Sequence, residues 1–111
     1  MKLDRELLKG STAILLLTLL QSGPKYGYQI VQEVKRRSEG EIQMKEGSLY
    51  PALHKLEEQG LVEGYWQERA DGRQRRYYRL TPEGMAAAEE RRSQWRTFET
   101  AMRRVLADGT V

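Results

Sequence analysis

The apolar positions of this chain follow helical spacing in four stretches and alternate in one strand pair. Leu49, Leu53 and Leu56 recur at intervals of four and three, which marks one buried helix face, and Ala52 widens that stripe. Ser48 is expected to cap this helix, Pro51 to fall in its first turn and Gly60 to end it. Upstream, the span from Asp4 to about Gln21 predicts a first helix. Its Leu7, Leu8, Ala13, Ile14, Leu15, Leu17 and Leu20 make it apolar on more than one face. Ser22-Gly23-Pro24 reads as a turn. Tyr26 to Arg37 follows as a second helix with Ile30, Val31 and Val34 inward, and Ser38 to Met44 as a polar connector around Gly40, pinned by Ile42 and Met44. Downstream, Leu61-Val62, Tyr65 and Trp66 form one strand, and Tyr77, Tyr78 and Leu80 form its return. Asp71-Gly72 between them predicts a two-residue hairpin turn with positive φ at both positions.

Thr81-Pro82-Glu83 supplies a cap, a first-position proline and an acid at the positive end of the helix dipole. The last helix therefore runs from there to about Leu106. Along it Trp95, Phe98, Met102 and Val105 follow a three-four-three spacing, thickened by Leu106, on an otherwise polar and arginine-rich surface. So apolar a seam at the end of a 111-residue chain needs a partner surface. A second copy of the chain, meeting it through the same helix or through Leu7, Leu8 and Leu15 of the first helix, is the simplest partner. Packing back onto its own winged domain is the alternative.

Two helices joined by a short connector, the second followed by a hairpin, make a winged helix-turn-helix. The fold class is mainly α with a small β-hairpin, completed by a long C-terminal dimerisation helix. Charge then suggests what the wing does. The net charge of +3 is mild, but Arg69, Arg73, Arg75, Arg76 and Arg79 crowd around one turn. A hairpin tip so rich in guanidinium suits phosphate or minor-groove contact, although arginines on a strand also keep an edge soluble. Away from the leucine stripe of the third helix lie Tyr50, Pro51, His54 and Lys55. With Lys45 and Ser48 at its start, these are the candidates for reading a major groove, because such helices contact bases from their N-terminal residues. Arg73, Arg75 and Arg76 are the wing candidates. Tyr26 has a hydroxyl able to donate to phosphate, or it is a core tyrosine.

YPALHKLEEQGLVEGYW followed by GRQRRYYRLTPEG resembles the PadR family of bacterial transcriptional regulators, and Gly27-Tyr28-Gln29-Ile30 matches that family's second-helix motif. The resemblance covers nearly the whole chain. Gln74 departs from it where many relatives carry proline, and Gly64 where serine is common. The resemblance implies a compact subfamily with a single C-terminal dimerisation helix, and repression by occluding polymerase. Some compact PadR regulators bind planar aromatic compounds between tryptophans of the two subunits. Trp95 is similar in placement, so Trp95 and Phe98 are candidate ligand residues.

Other chemistries find little support. The chain has no cysteine, so disulfides and thiolate metal sites are excluded. His54 is the only histidine and stands on the exposed side of its helix, which makes a metal ligand or catalytic base improbable. Glu57-Glu58 and Glu89-Glu90 diverge around helix axes and read as solvated faces. No phosphate-cradling glycine loop or nucleophile–histidine motif is present. The apolar run Ala13 to Leu20 is too short to span a bilayer, and Asp4 and Glu6 are unlike a signal peptide, so the expected location is cytoplasmic. The expectation is a non-enzyme without cofactor or metal, acting as a homodimer on a two-fold symmetric DNA operator. Residues 1–81 would bind DNA, residues 82–107 would dimerise, and residues 108–111 would fray. The rival is a winged-helix protein-interaction module that does not bind DNA sequence-specifically.

Overall fold

The computed structural model describes residues 10–107 of the chain. The elements are α1 (Thr12–Leu20), β1 (Lys25–Tyr26), α2 (Gly27–Arg37), α3 (Glu46–Glu58), β2 (Val62–Glu68), β3 (Gln74–Leu80) and α4 (Pro82–Ala107). The winged helix-turn-helix and the long last helix appear as expected. The hairpin gains a third strand, because the two residues of β1 pair with β3 in an antiparallel sheet of order β1-β3-β2. The expected places of Leu7, Leu8 and the tail at residues 108–111 lie outside the described residues.

One core joins all the layers. Leu16, Leu17, Leu19 and Leu20 of α1 pack with Ile30 and Val34 of α2 and with Leu49, Leu53 and Leu56 of α3. Val62 and Tyr78 bring the sheet into this cluster, and Ala88 brings in α4. Ile42 and Met44 rest against it from the connector, which Ser38 closes by accepting the Ile42 N–H at 2.9 Å.

Three local expectations need correction. The first helix does not run unbroken from Asp4. Gly10 has φ +86°, a left-handed conformation, and the helix starts at Thr12. Ser48 is not the cap of α3. That helix begins at Glu46 with Lys45 extended before it, and the N–H groups of Ser48 and Leu49 both donate to the Lys45 carbonyl at 2.9 Å. No side-chain hydroxyl caps this turn. Pro51 consequently sits inside the helix rather than in its first turn. The hairpin turn is longer than Asp71-Gly72. The Gly72 N–H donates to the Arg69 carbonyl at 3.0 Å, and only Gly72, at φ +85°, is left-handed. A four-residue turn ending in a left-handed glycine does the work of the two-residue turn.

Gly60 ends α3 as expected. At φ +75° it donates to Glu57, and the Leu61 N–H donates to Leu56, both at 3.0 Å. The Thr81 hydroxyl caps α4 by accepting the Gly84 N–H at 3.0 Å, and it donates to the Gly60 carbonyl at 2.7 Å. The end of α3 and the start of α4 are thereby fastened together. Farther along, Gln21 clamps α1 to α4: its Nε2 donates to Glu89 Oε1 and its Oε1 accepts from Arg92 Nη1, both at 2.9 Å. Beyond Arg92 the helix leaves the core, and every residue from Ser93 to Ala107 is exposed.

Candidate nucleic-acid interface

The exposed side of α3 carries the expected groove residues. Lys45, Ser48, Tyr50, Pro51, His54 and Lys55 are all exposed, opposite the buried leucines. Tyr50 is held from below by α2. Its hydroxyl occupies space that a Cβ on Gly27 would enter, at 2.3 Å, so glycine at the start of α2 lets the tyrosine lie flat across that helix end. His54 lies 3.9 Å from Glu57 and 3.7 Å from Glu58, one turn farther on.

The wing has two unlike faces, because side chains alternate along a strand. On one face the pairs are Val62 with Leu80, Gly64 with Tyr78 and Trp66 with Arg76. This face is buried at its base, where Val62 and Tyr78 enter the core. On the other the pairs are Glu63 with Arg79, Tyr65 with Tyr77 and Gln67 with Arg75. Tyr26 joins that second face through its pairing with Tyr77, their rings edge-on at 5.4 Å. Tyr65 and Tyr77 stack at 6.0 Å.

The five arginines of the wing separate accordingly. Arg79 pairs with Glu63 at 3.2 Å and lies over the Tyr65 ring. Hydrogen bonding to that carboxylate raises its pKa further above the ordinary guanidinium value. Arg69 pairs with Asp71 at 3.4 Å. Arg76 pairs with Glu57 at 3.4 Å. Arg75 lies flat over the Tyr26 ring, 3.8 Å from its centroid, which orders the guanidinium without neutralising it. Among the described residues Arg73 and Arg75 have no ion pair, and both lie at or beside the turn. Arg75 and Arg76 point to opposite faces, so strand alternation separates two residues that sequence proximity had grouped together. Tyr26 serves as a stacking platform for Arg75.

Two residues of this region escaped sequence reading. Glu57 is not a solvated acid. Its Oε2 accepts from the Gly64 N–H at 3.2 Å and from Arg76. The available signal was its position four residues after Leu53, in line with the buried stripe. Gly64 is the other, and a glycine inside a strand marks a close approach.

Among the described residues the seam on α4 is left largely open. Trp95 is 43% exposed, Phe98 53%, Met102 41%, Val105 76% and Leu106 72%, so these side chains do not fold back on the wing. Trp95 and Phe98 lie 5.6 Å apart, with their rings tilted at 47°. Trp95 and Ile14 line two open grooves, the smaller between α1 and α4 and the larger also walled by the end of α2 and the connector. The larger, about 720 Å³, is lined by apolar residues including Leu15 and Leu19 and by Arg37, Arg92 and Arg96. The smaller, about 330 Å³, includes Phe98.

The model of the transcriptional regulator PadR-like family matches residues 16–90, which span the second half of α1, α2, the recognition helix α3, the wing and the start of α4. The chain belongs to this family. A curated transcriptional regulator of Mycobacterium tuberculosis is 36% identical over 102 residues, covering 92% of this chain and 89% of that protein. Among solved structures, a PadR family transcription regulator from Clostridium difficile is 34% identical with a TM-score of 0.76, over 86% of this chain and 97% of its own. A transcriptional regulator from Clostridium thermocellum reaches a TM-score of 0.84 at 27% identity, over 94% and 98%. As a PadR-family member the protein is a DNA-binding transcriptional regulator and not an enzyme. Among the described residues no helix is long and apolar enough to cross a membrane.

Proposed function

We propose that this PadR-family protein is a cytoplasmic homodimeric repressor. In this reading residues 1–81 hold DNA and residues 82–107 hold the second subunit. The exposed row from Lys45 to Lys55 on α3, flanked by the unneutralised Arg73 and Arg75 of the wing, is the observation that carries it. Lys45, Ser48, Tyr50, Pro51, His54 and Lys55 enter a major groove. Arg73 and Arg75 reach the flanking phosphates, with the Tyr26 ring supporting Arg75. Dimerisation through Leu15, Trp95, Phe98, Met102, Val105 and Leu106 places two copies of α3 on a two-fold symmetric operator, with half-site centres one or two turns apart at roughly 34 Å per turn.

Fluorescence anisotropy tests this with two labelled duplexes at about physiological salt, the region upstream of the protein's own gene and a scrambled control. A preference of roughly a thousandfold or more is expected of a specific regulator. Weak, equal binding that disappears as salt rises points instead to an operator elsewhere or to a protein-interaction module.

Trp95 and Phe98 further support release by a planar aromatic effector stacked at the dimer axis. The three arginines along the larger groove favour an effector with negative charge. Tryptophan quenching by an anionic and a cationic planar dye compares the two charge types. No quenching by either, or quenching that persists in Trp95→Ala through Trp66, removes this role.

A further inference from the structure

Beside the apolar core that wing and recognition helix share, one carboxylate ties them together. Glu57 stands in the last turn of α3, and its Oε2 accepts from the Gly64 N–H at 3.2 Å and from Arg76 Nη2 at 3.4 Å. Gly64 belongs to β2 and Arg76 to β3, so three elements converge on one oxygen. The Arg76 guanidinium is also enclosed by rings, 5.4 Å from the Trp66 centroid and 6.0 Å from that of Tyr78. A Cβ at residue 64 would lie 2.8 Å from Arg76 Nη2 and 2.9 Å from Glu57 Oε2, so the missing side chain makes room for the pair. The side chains of Arg76 and Glu57 are only 35% and 24% exposed. That is drier than the surface ion pairs of Arg79 and Arg69, and the pair is correspondingly less screened.

We propose that Glu57 and Arg76 form a brace that fixes the angle between wing and recognition helix. Glu57 is thus a positioning residue for operator recognition, and Arg76 is not a phosphate contact. This rests on the reading of α3 and the wing as the DNA-binding surface. The physical consequence is a reversed sign. A carboxylate beside a phosphate-binding arginine competes with DNA, so neutralising it strengthens binding. A carboxylate that orients the wing has the opposite effect, because its loss loosens the angle between two contact surfaces that the core alone then joins and adds an ordering cost on binding.

The test uses the full chain and a duplex recovered by selection from a random-sequence library, with a scrambled duplex beside it. Glu57→Gln keeps the shape and the oxygen facing Gly64 but removes the charge facing Arg76. It is expected to lower the preference for the selected duplex about tenfold, leaving binding to the scrambled duplex nearly unchanged. Arg76→Gln is expected to do the same without altering the slope of log affinity against log salt, whereas a lost phosphate contact reduces that slope by about 0.9. The double variant should be no worse than either single one. Gly64→Ala, which retains every charge but intrudes on the pair, should reproduce the loss. Circular dichroism and thermal unfolding confirm that each variant is folded. If Glu57→Gln binds the selected duplex as tightly or more tightly, or Arg76→Gln flattens the salt slope, the brace is overturned while DNA binding stands. If selection enriches no duplex, the DNA-binding reading fails and takes the brace's role with it.

Discussion

Two glycines show how differently a missing side chain can act. At Gly84 a Cβ would lie 1.9 Å from the Leu61 carbonyl oxygen, a backbone atom that cannot turn aside. Gly84→Ala is therefore expected to cost about 1–3 kcal/mol, the usual range for overpacking, as measured by urea denaturation. At Gly27 the Cβ would meet the end of the Tyr50 side chain, which can rotate away. Gly27→Ala should unfold at a denaturant concentration closer to wild type yet bind operator more weakly, because Tyr50 leaves its place on the groove face. Equal loss of stability in both variants would falsify this distinction. Tyr78 supplies a pH test. Burial raises its pKa above the ordinary phenol value, although hydrogen bonding with Arg76 works the other way. The fold favours the neutral ring, so its contribution is fully present below about pH 10 and is lost as pH rises through the raised value. Tyr78→Phe should cost only about 1 kcal/mol at neutral pH. That cost should shrink as pH rises above about 10, as measured by urea denaturation across pH.

At the scale of the element, the wing is a ribbon whose two faces have separate duties. Five arginines near one turn looked like a single basic cluster in the sequence. Strand alternation and nearby acids divide them, and Arg69, Arg76 and Arg79 each have a carboxylate partner. The salt dependence of operator binding should expose the difference. Arg73→Ala and Arg75→Ala are each expected to reduce the slope of log affinity against log salt by about 0.9, whereas Arg69→Ala and Arg79→Ala leave it nearly unchanged. Comparable slope changes for all four would mean that the ion pairs open on DNA and that the two-faced wing is not maintained there.

For the whole molecule the governing feature is α4, whose 26 residues extend about 39 Å. Its first turns belong to the core through Gly84 and Ala88, and its remainder presents an apolar seam largely open among the described residues. Phe98→Glu combined with Met102→Glu should yield a folded monomer by sedimentation. Operator affinity should fall by roughly 100-fold or more, since a single α3 loses the effective concentration supplied by its twin. A variant that still sediments as a dimer would assign subunit contact to another surface. The groove of about 720 Å³ beside Trp95 is bounded by α1, the end of α2, the connector and α4, so its shape depends on how these elements meet and on any subunit that covers them.

Local sequence determined the order of the helices and of the two long wing strands. A leucine every three or four residues specifies a helix and its buried side, and Thr81-Pro82-Glu83 and Gly60 state where helices begin and end, because capping is chemistry local to a few residues. The candidate groove residues were legible for the same reason: they are what remains once the leucine stripe of α3 turns inward. Tertiary structure alone decided the partners. Lys25 and Tyr26 become a strand only because β3 lies beside them, and residues so far apart in sequence leave no periodic trace of their pairing. Whether each wing arginine faces a phosphate or a carboxylate, and whether Glu57 is solvated or clamped, depends on distances between side chains from different elements. Composition records which charges exist; packing decides which of them remain free to meet DNA.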